Sequence, residues 1–331
     1  MELLKTTLSM ARYYSLQPTD VNTKHLDDYL KTLAFRPIDK TADEGSWGFV
    51  DLFDPEKPMS DVFRLSDKLF LRLRIDTRKI PSAVLNRHFE KALAKHKEER
   101  GVEAVSRDAK QEIKEQVRLK LLPKVEPVPT CVMIIITPTE VWVTSTSNKH
   151  LDIVERILIN MPYENSFIPV NPFSVGKIEE WRKDHDPDPA AVSMGQLMAC
   201  EFMSRLYVSG YHQVHEGGLE IKDKVVLQGM DESMSVQSAT VAEWPEVKTR
   251  LAEPGVTISQ ARLKVEGENG EHSFVLKNDW TVSSLKTPKV EADKDDQAGA
   301  LLEKCFLLNE VFGMLDEAAI AMELVPTEHA V

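Results

Sequence analysis

The stretch from Pro81 to Lys124 constrains the fold more than any other, because its punctuation leaves few choices. Pro81 and Ser82 open a helix over about 83–100, and Gly101 stops it. Ser106 caps a second helix over about 107–121, which ends at Leu122-Pro123. Leu85, Phe89, Ala92 and Leu93 give the first helix an apolar stripe that reads as core, with His88 and His96 structural on its flanks. From Arg78 to Lys124, 13 Lys+Arg stand against 7 Asp+Glu, a local charge of +6. Strand patterns lie on both sides. The expected architecture is therefore a β-rich body interrupted by a basic helical hairpin.

The rest of the chain is its electrostatic opposite. The 331 residues carry a formal net charge of −12, so the part outside that stretch, with 28 Lys+Arg against 46 Asp+Glu, carries −18. An acidic total counts against nucleic-acid binding in general, but the distribution of charge decides where a polyanion would sit. One cationic segment can present a single surface to a polyanion while the anionic remainder repels it elsewhere. Hydrophobic residues at 42% and charged residues at 28% describe an ordinary globular protein. No apolar run approaches the ~20 residues of a membrane span. The start, "MELLKTTLSMARYY", lacks the apolar core of a signal peptide. The three cysteines, Cys131, Cys200 and Cys305, lie far apart with no CxxC, which argues against a disulfide framework. The expected compartment is the cytoplasm.

Elsewhere, period-two and helical patterns interleave. "TLSMARYYSL" reads as a strand, and "TKHLDDYLKTLAFRPI" as a helix with Leu26, Leu30 and Leu33 on one face, capped by Asn22 or Thr23 and ended by Pro37. "DKLFLRLRID" alternates Leu71, Leu73 and Ile75 with Arg72 and Arg74, which predicts a half-buried strand with a basic outer face. "TCVMIIIT" and "EVWVTST" form a hairpin across Thr137-Pro138-Thr139, followed by an amphipathic helix with Leu151, Val154 and Leu158. Lys24-His25-Leu26-Asp27 recurs as Lys149-His150-Leu151-Asp152, each followed by Phe-x-Pro, which suggests a duplicated βα unit. "HDPDPAA" at 185–191 reads as a linker, before a helix around 195–207 and a strand in "GGLEIKDKVVLQG". Asn269-Gly270 suits a tight turn between two strands, and "DKDD" reads as a polar loop. A long helix over about 297–320 carries Leu301, Leu302, Cys305, Leu308, Phe312 and Leu315. The irregular mixture gives an α+β class. The expected domains are a central one, 1–81 with 124–180, a helical arm, 82–123, and a C-terminal one, 190–331.

The arm carries the sharpest chemistry. Arg87, Lys91 and Lys95 sit at i, i+4, i+8 on its first helix, and Lys110, Lys114 and Arg118 do so on its second. Each step rises ~6 Å and turns ~40°, so each trio makes a slanting cationic ridge. Like charges at that spacing cost a few tenths of a kcal/mol per pair. Phosphates would neutralise them, positioning a nucleic-acid backbone without reading its sequence. The competing reading is a solvated, salt-bridged hairpin in which Glu90, Glu98 and Glu115 serve Arg87, Lys95 and Arg118. Arg72 and Arg74, with Lys222 and Lys224 in "EIKDK", extend the basic set. A nuclease would need carboxylates for Mg²⁺ ahead of a Glu-x-Lys strand. Glu220-Ile221-Lys222, with Asp186 or Asp188 upstream, is the one match on a plausible strand; Glu112-Ile113-Lys114 and Glu246-Val247-Lys248 are not. Phosphate loops, dinucleotide fingerprints, HExxH and serine elbows are absent from the sequence. Trp47 and Trp142 could stack on bases, although tryptophans near strands are usually core.

At Pro81-Ser82, the charged hairpin and Leu121-Leu122-Pro123-Lys124, the chain resembles the bacterial recombination-associated RdgC family. "AFRP" with "GSWG" behind it, "FIPVNP", and "VTISQARLKV…FVLKNDWTVSSLKTP" before a Leu-rich helix agree in order; the agreement is poorest over about 180–250. The resemblance implies a horseshoe-like monomer of mixed sheets with a protruding helical hairpin. It implies a non-enzymatic, nucleoid-associated homodimer whose basic hole encloses double-stranded DNA without sequence preference and limits RecA access. No cofactor is implied. It also carries over Lys124 as the basic position after Leu-Leu-Pro, and Lys222 with Lys224 as a basic pair after Gly-Gly. The DNA-contact set is then Arg72, Arg74, Arg87, Lys91, Lys95, Lys110, Lys114, Arg118, Lys124, Lys222 and Lys224, with exonuclease activity the alternative. One departure stands out: where the family has a ring-closing Phe, this chain has Glu126, followed by Pro127.

Overall fold

Period-two segments become antiparallel ladders and period-3.6 segments become helices in the computed structural model of the chain. The structure describes residues 1–15, 20–39, 41–162, 167–169, 190–214, 217–229, 233–237, 245–291 and 296–322. The elements run β1 Leu8–Ser15, α1 Lys24–Thr32, β2 Gly45–Val50, β3 Phe63–Leu65, β4 Lys68–Thr77, α2 Ser82–Arg100 and α3 Arg107–Leu121. Next come β5 Val128–Ile136, β6 Glu140–Val143, α4 Asn148–Ile159, β7 Phe167–Pro169, α5 Ala190–Ser209 and β8 Tyr211–Val214. The chain closes with β9 Gly217–Gln228, β10 Ser233–Gln237, α6 Pro245–Leu251, β11 Thr257–Gly267, β12 Gly270–Lys277, β13 Val282–Lys286 and α7 Gln297–Ala321. The fold is α+β, with seven helices and extensive antiparallel pairing among the described residues. Of the linker expected at 185–191, residues 185–189 lie outside the described residues, as does most of the loop at 293–296, while Ala190 and Ala191 already belong to α5.

Two compact units divide the chain. The first comprises Met1–Thr23, Arg64–Phe70 and Met133–Val331. Its strands follow the order β10-β9-β11-β12-β13-β1-β6. Every second residue of β11, from Ala261 through Leu263 to Val265, is buried, as are Phe274 and Leu276 of β12. Against this face packs α7, whose Leu301, Cys305, Leu308, Phe312 and Leu315 are buried as its periodicity predicts, with Leu302 half-buried. The turn between β11 and β12 differs by one residue from the expected Asn269-Gly270. The register pairs Gly267 with Gly270, so Glu268 and Asn269 form the loop and the positive φ, +123°, falls on Gly270. The reason lies in α7: Glu310 accepts hydrogen bonds from the Asn269 backbone N–H at 3.0 Å and its Nδ2 at 3.2 Å, fixing Asn269 in the loop.

The second unit comprises Lys24–Phe63 and Leu71–Val132. Here β2 pairs antiparallel with β4, Trp47 opposite Ile75 and Gly48 opposite Arg74. Leu26 and Leu30 anchor α1, which ends at Thr32, well before Pro37. The helix punctuation is borne out: Gly101 closes α2 in the left-handed conformation at φ +64°, and Ser106 Oγ accepts the Ala109 N–H at 3.2 Å to start α3. The two helices pack together. Their burial is unequal. In α3, Ile113, Val117 and Leu121 are buried, whereas no residue of α2 is, so Leu85, Phe89, Ala92 and Leu93 are a half-buried seam rather than core.

Candidate nucleic-acid interface

On α2, Arg87, Lys91 and Lys95 are all exposed, and so are Lys110 and Lys114 on α3. Lys124 is exposed in the short 3₁₀ turn that follows α3. Their carboxylate partners are few. Lys95 meets Glu99 at 3.5 Å, an i, i+4 pair in place of the expected Glu98. The expected pair of Arg87 with Glu90 does not form. Among the described residues, Arg87, Lys91, Lys110, Lys114 and Lys124 have no carboxylate within ion-pair distance. Like-charged side chains left without a paired carboxylate keep a positive potential that an external anion or dissolved salt can relieve.

Arg118 is different. Its guanidinium is held by Glu44 and by Glu115, the latter at 3.6 Å. Glu115 fulfils the i, i+3 expectation, whereas Glu44 is distant in sequence and has no local signal that could have revealed it.

Strand β4 overturns the expectation of a basic outer face. Arg72 is only 8% exposed and its Nη1 donates to the Leu52 carbonyl at 3.3 Å. Arg74 is half-buried, donating through Nε to Asp76 at 2.7 Å and through Nη1 to Glu56 at 2.9 Å, with its guanidinium over the Phe35 ring. The hydrogen bond to Asp76, opposed by burial and helped by Glu56, holds Arg74 more firmly protonated than usual. The physical cause is the segment around 51–56, which covers the face that alternation alone leaves open.

On β9, in the first unit, Lys222 meets Glu271 at 3.4 Å, and Lys224 is half-buried with no ion pair among the described residues. Lys264 on β11 lies beside them with Glu266, Glu271 and Glu220 all within reach, at 2.6, 3.5 and 3.7 Å. Its hydrogen bond with Glu266, against a small burial cost, raises its proton affinity above the usual lysine range. This patch sets three carboxylates, Glu220, Glu266 and Glu271, against three cations, and Lys222 is already paired. The Glu220 carboxylate that a nuclease would need is turned to Lys264. Asp186 and Asp188 lie outside the described residues, and among those described no three His, Cys, Asp or Glu side chains gather as metal ligands.

The tryptophans divide as well. Trp142 is 2% exposed, and its Nε1 donates to Glu140 Oε2 at 2.6 Å, which is the usual core role. Trp47, the third residue of β2, is 37% exposed. Glu126 is exposed, between the half-buried Val125 and Pro127. No helix among the described residues is long and apolar enough to cross a membrane.

Among curated proteins none matches the chain. The RdgC family model, described as "Putative exonuclease, RdgC", matches residues 8–178. That span contains β1 to β6, the helix pair with its two ridges, Trp47, Glu126 and the "AFRP" and "GSWG" segments. With more than half of its length in that match, the chain belongs to the RdgC family and is a DNA-related protein.

Proposed function

We propose that this protein binds double-stranded DNA through phosphate contacts, without reading sequence, and that α2 and α3 supply the contact surface. One observation carries this reading: Arg87, Lys91, Lys110, Lys114 and Lys124 are exposed on a single compact unit and have no carboxylate partner among the described residues. Lys95 and Arg118 join them once their carboxylates yield. Arg72 and Arg74 drop out of the contact set because their guanidinium groups are already engaged, and Lys222 and Lys224 become secondary. Side chains on two helices spaced ~6 Å apart suit a backbone, not base edges. Family membership supports the further steps: a homodimer that encloses or clasps the duplex, associates with the nucleoid, and modulates homologous recombination by limiting RecA access. The protruding arm belongs to the same proposal.

Salt-titrated binding to duplex DNA tests it. Lys110→Glu with Lys114→Glu lowers affinity and flattens the plot of log K against log salt by roughly 1.8, at ~0.9 for each phosphate no longer neutralised. An unchanged slope and affinity overturn the assignment of α3. The family's printed description favours a second reading, exonuclease activity; Glu220 and Lys222, the residues the sequence offers for it, lie outside the matched span. Incubating end-labelled duplex with Mg²⁺ or Mn²⁺ separates the two, since shortening of the label is required by the second and not by the first.

A further inference from the structure

Trp47 sits where a tryptophan is usually buried, within a paired strand, yet it is 37% exposed while its successors Gly48, Phe49 and Val50 are not. The described core tryptophans are satisfied: Trp142 lies edge-on to Phe312 with centroids 5.5 Å apart, and Trp280 packs on Phe202 at 5.6 Å. Among the described residues, Trp47 has neither an aromatic partner nor an acceptor for its Nε1–H. Its backbone is rigid. Strand β2 is paired with β4 along its length on one side. On the other, Phe35 N–H donates to the Phe49 carbonyl and Phe49 N–H to the Leu33 carbonyl, both at 2.8 Å. A Cβ at Gly48 would come within 2.4 Å of Phe35 Cα, so the close approach that holds this segment requires glycine next to Trp47.

Three separate segments that carry cations are tied to the residues just before it, two of them through backbone groups. Ser46 Oγ donates to the Arg36 carbonyl at 2.7 Å, and Arg36 is exposed. The Arg78 N–H donates to the Glu44 carbonyl at 2.7 Å, which brings the exposed Lys79 close. The Glu44 carboxylate takes Arg118, the last step of the α3 ridge. Asp43, Glu44 and Asp76, which pairs with Ser46 across the strands, are neighbouring carboxylates, and of these Glu44 is engaged by Arg118 and Asp76 by Arg74. A rigid, half-exposed indole at the end of a cationic ridge matches how a nucleic-acid strand is held by stacking and phosphate contacts together. A paired base inside a duplex offers no free face to such a ring; an unpaired base does.

We propose that Trp47 is a stacking platform for an unpaired base, so that single-stranded DNA, or a melted or frayed segment of duplex, engages this unit by a contact that intact duplex lacks. The inference rests on the phosphate-binding reading above and adds to it one stacking contact, assigned to a named side chain. The test uses the full-length protein, a thymidine oligonucleotide and a covalently closed circular duplex. Trp47→Ala weakens binding of the oligonucleotide by about 5- to 150-fold, the range of one missing base stack, and leaves the circular duplex within about twofold. Trp47→Phe, which keeps a ring, recovers most of the affinity. The oligonucleotide quenches the wild-type tryptophan fluorescence, and that quenching disappears in Trp47→Phe, a readout independent of any loss of fold in the alanine variant. Equal losses on both ligands, no loss on either, or quenching that persists in Trp47→Phe overturns the stacking site while leaving duplex binding standing. Failure of the wild type to bind either DNA overturns both proposals.

Discussion

Glu44 and Arg118 show how one residue can set the strength of a surface. Arg118 completes the α3 ridge, yet in the free protein its charge is shared with Glu44 and Glu115. A phosphate that takes Arg118 must first displace Glu44. Exposed ion pairs contribute about 0.2–1 kcal/mol, so Glu44→Gln is expected to raise duplex affinity by roughly 1.5- to 5-fold and to steepen the salt dependence by ~0.9. In an Arg118→Ala background the same change leaves both almost unaltered, and a double-mutant cycle by salt-titrated anisotropy checks it. The ridge itself is legible in the sequence because spacing on a helix fixes it. Glu44 is not, because the pair links residues brought together only by the fold. The same reason defeats the reading of Arg72 and Arg74. Alternation correctly identifies Leu71, Leu73 and Ile75 as one face, but it contains no information about Leu52, Pro55 and Glu56 covering the other.

At the scale of elements, α7 combines what sequence reveals and what it hides. Its apolar residues announce a long core helix. Its three polar anchors, each meeting a different part of the sheet, do not. Lys304 donates to Thr287 Oγ1 at 2.5 Å, Glu310 meets His272 Nε2 at 3.1 Å, and Asp316 receives Arg12 at 2.7 Å. Arg12 also takes Glu140 at 2.8 Å and lies over Phe312, so removing it leaves two largely buried carboxylates uncompensated. His272 is fully buried, and its Nδ1 has no hydrogen-bond partner among the described residues. Burial lowers its proton affinity below the usual histidine range, an effect only partly offset by Glu310 and reinforced by Lys304. A folded pKa below the unfolded value of ~6.5 means that the unfolded chain binds the extra proton first. Stability from this group is therefore complete above pH ~6.5 and is lost as pH falls below it. The hydrogen bonds from Asn269 and His272, opposed by burial, hold the Glu310 carboxyl below its usual range, so its own loss follows at lower pH. Thermal melting of the wild type falls between about pH 7 and about pH 5.5, and His272→Gln, which can still donate to Glu310, shows a smaller fall over that interval. An identical pH dependence in the two proteins contradicts this account. The hairpin turn belongs at this scale too, since turn chemistry places it near Asn269 but the contact with Glu310 selects which residues form the loop.

For the molecule as a whole, the α+β class, the order of elements and the helix pair follow from periodicity and punctuation. The division of charge into +6 and −18 follows from counting. The interleaving of two units through β4 and β5 does not, because contacts distant in sequence decide it. The proposed homodimer makes a mass prediction: sedimentation gives twice the 37.5 kDa of one chain, and Glu126→Phe, which supplies the apolar residue expected by family resemblance, lowers the dimer dissociation constant. A weaker dimer in that variant counts against closure at this position. Among the described residues, the cations of α2 and α3 without a carboxylate partner are mostly lysines, and this has a consequence for movement. Lysine ends in a compact, strongly hydrated charge on a flexible stem, with no fork to lock onto one oxygen pair. If the proposed phosphate contacts hold, a grip assembled from such side chains can exchange one phosphate for the next without ever letting go entirely, so the bound protein would travel along the duplex like a runner on a rail.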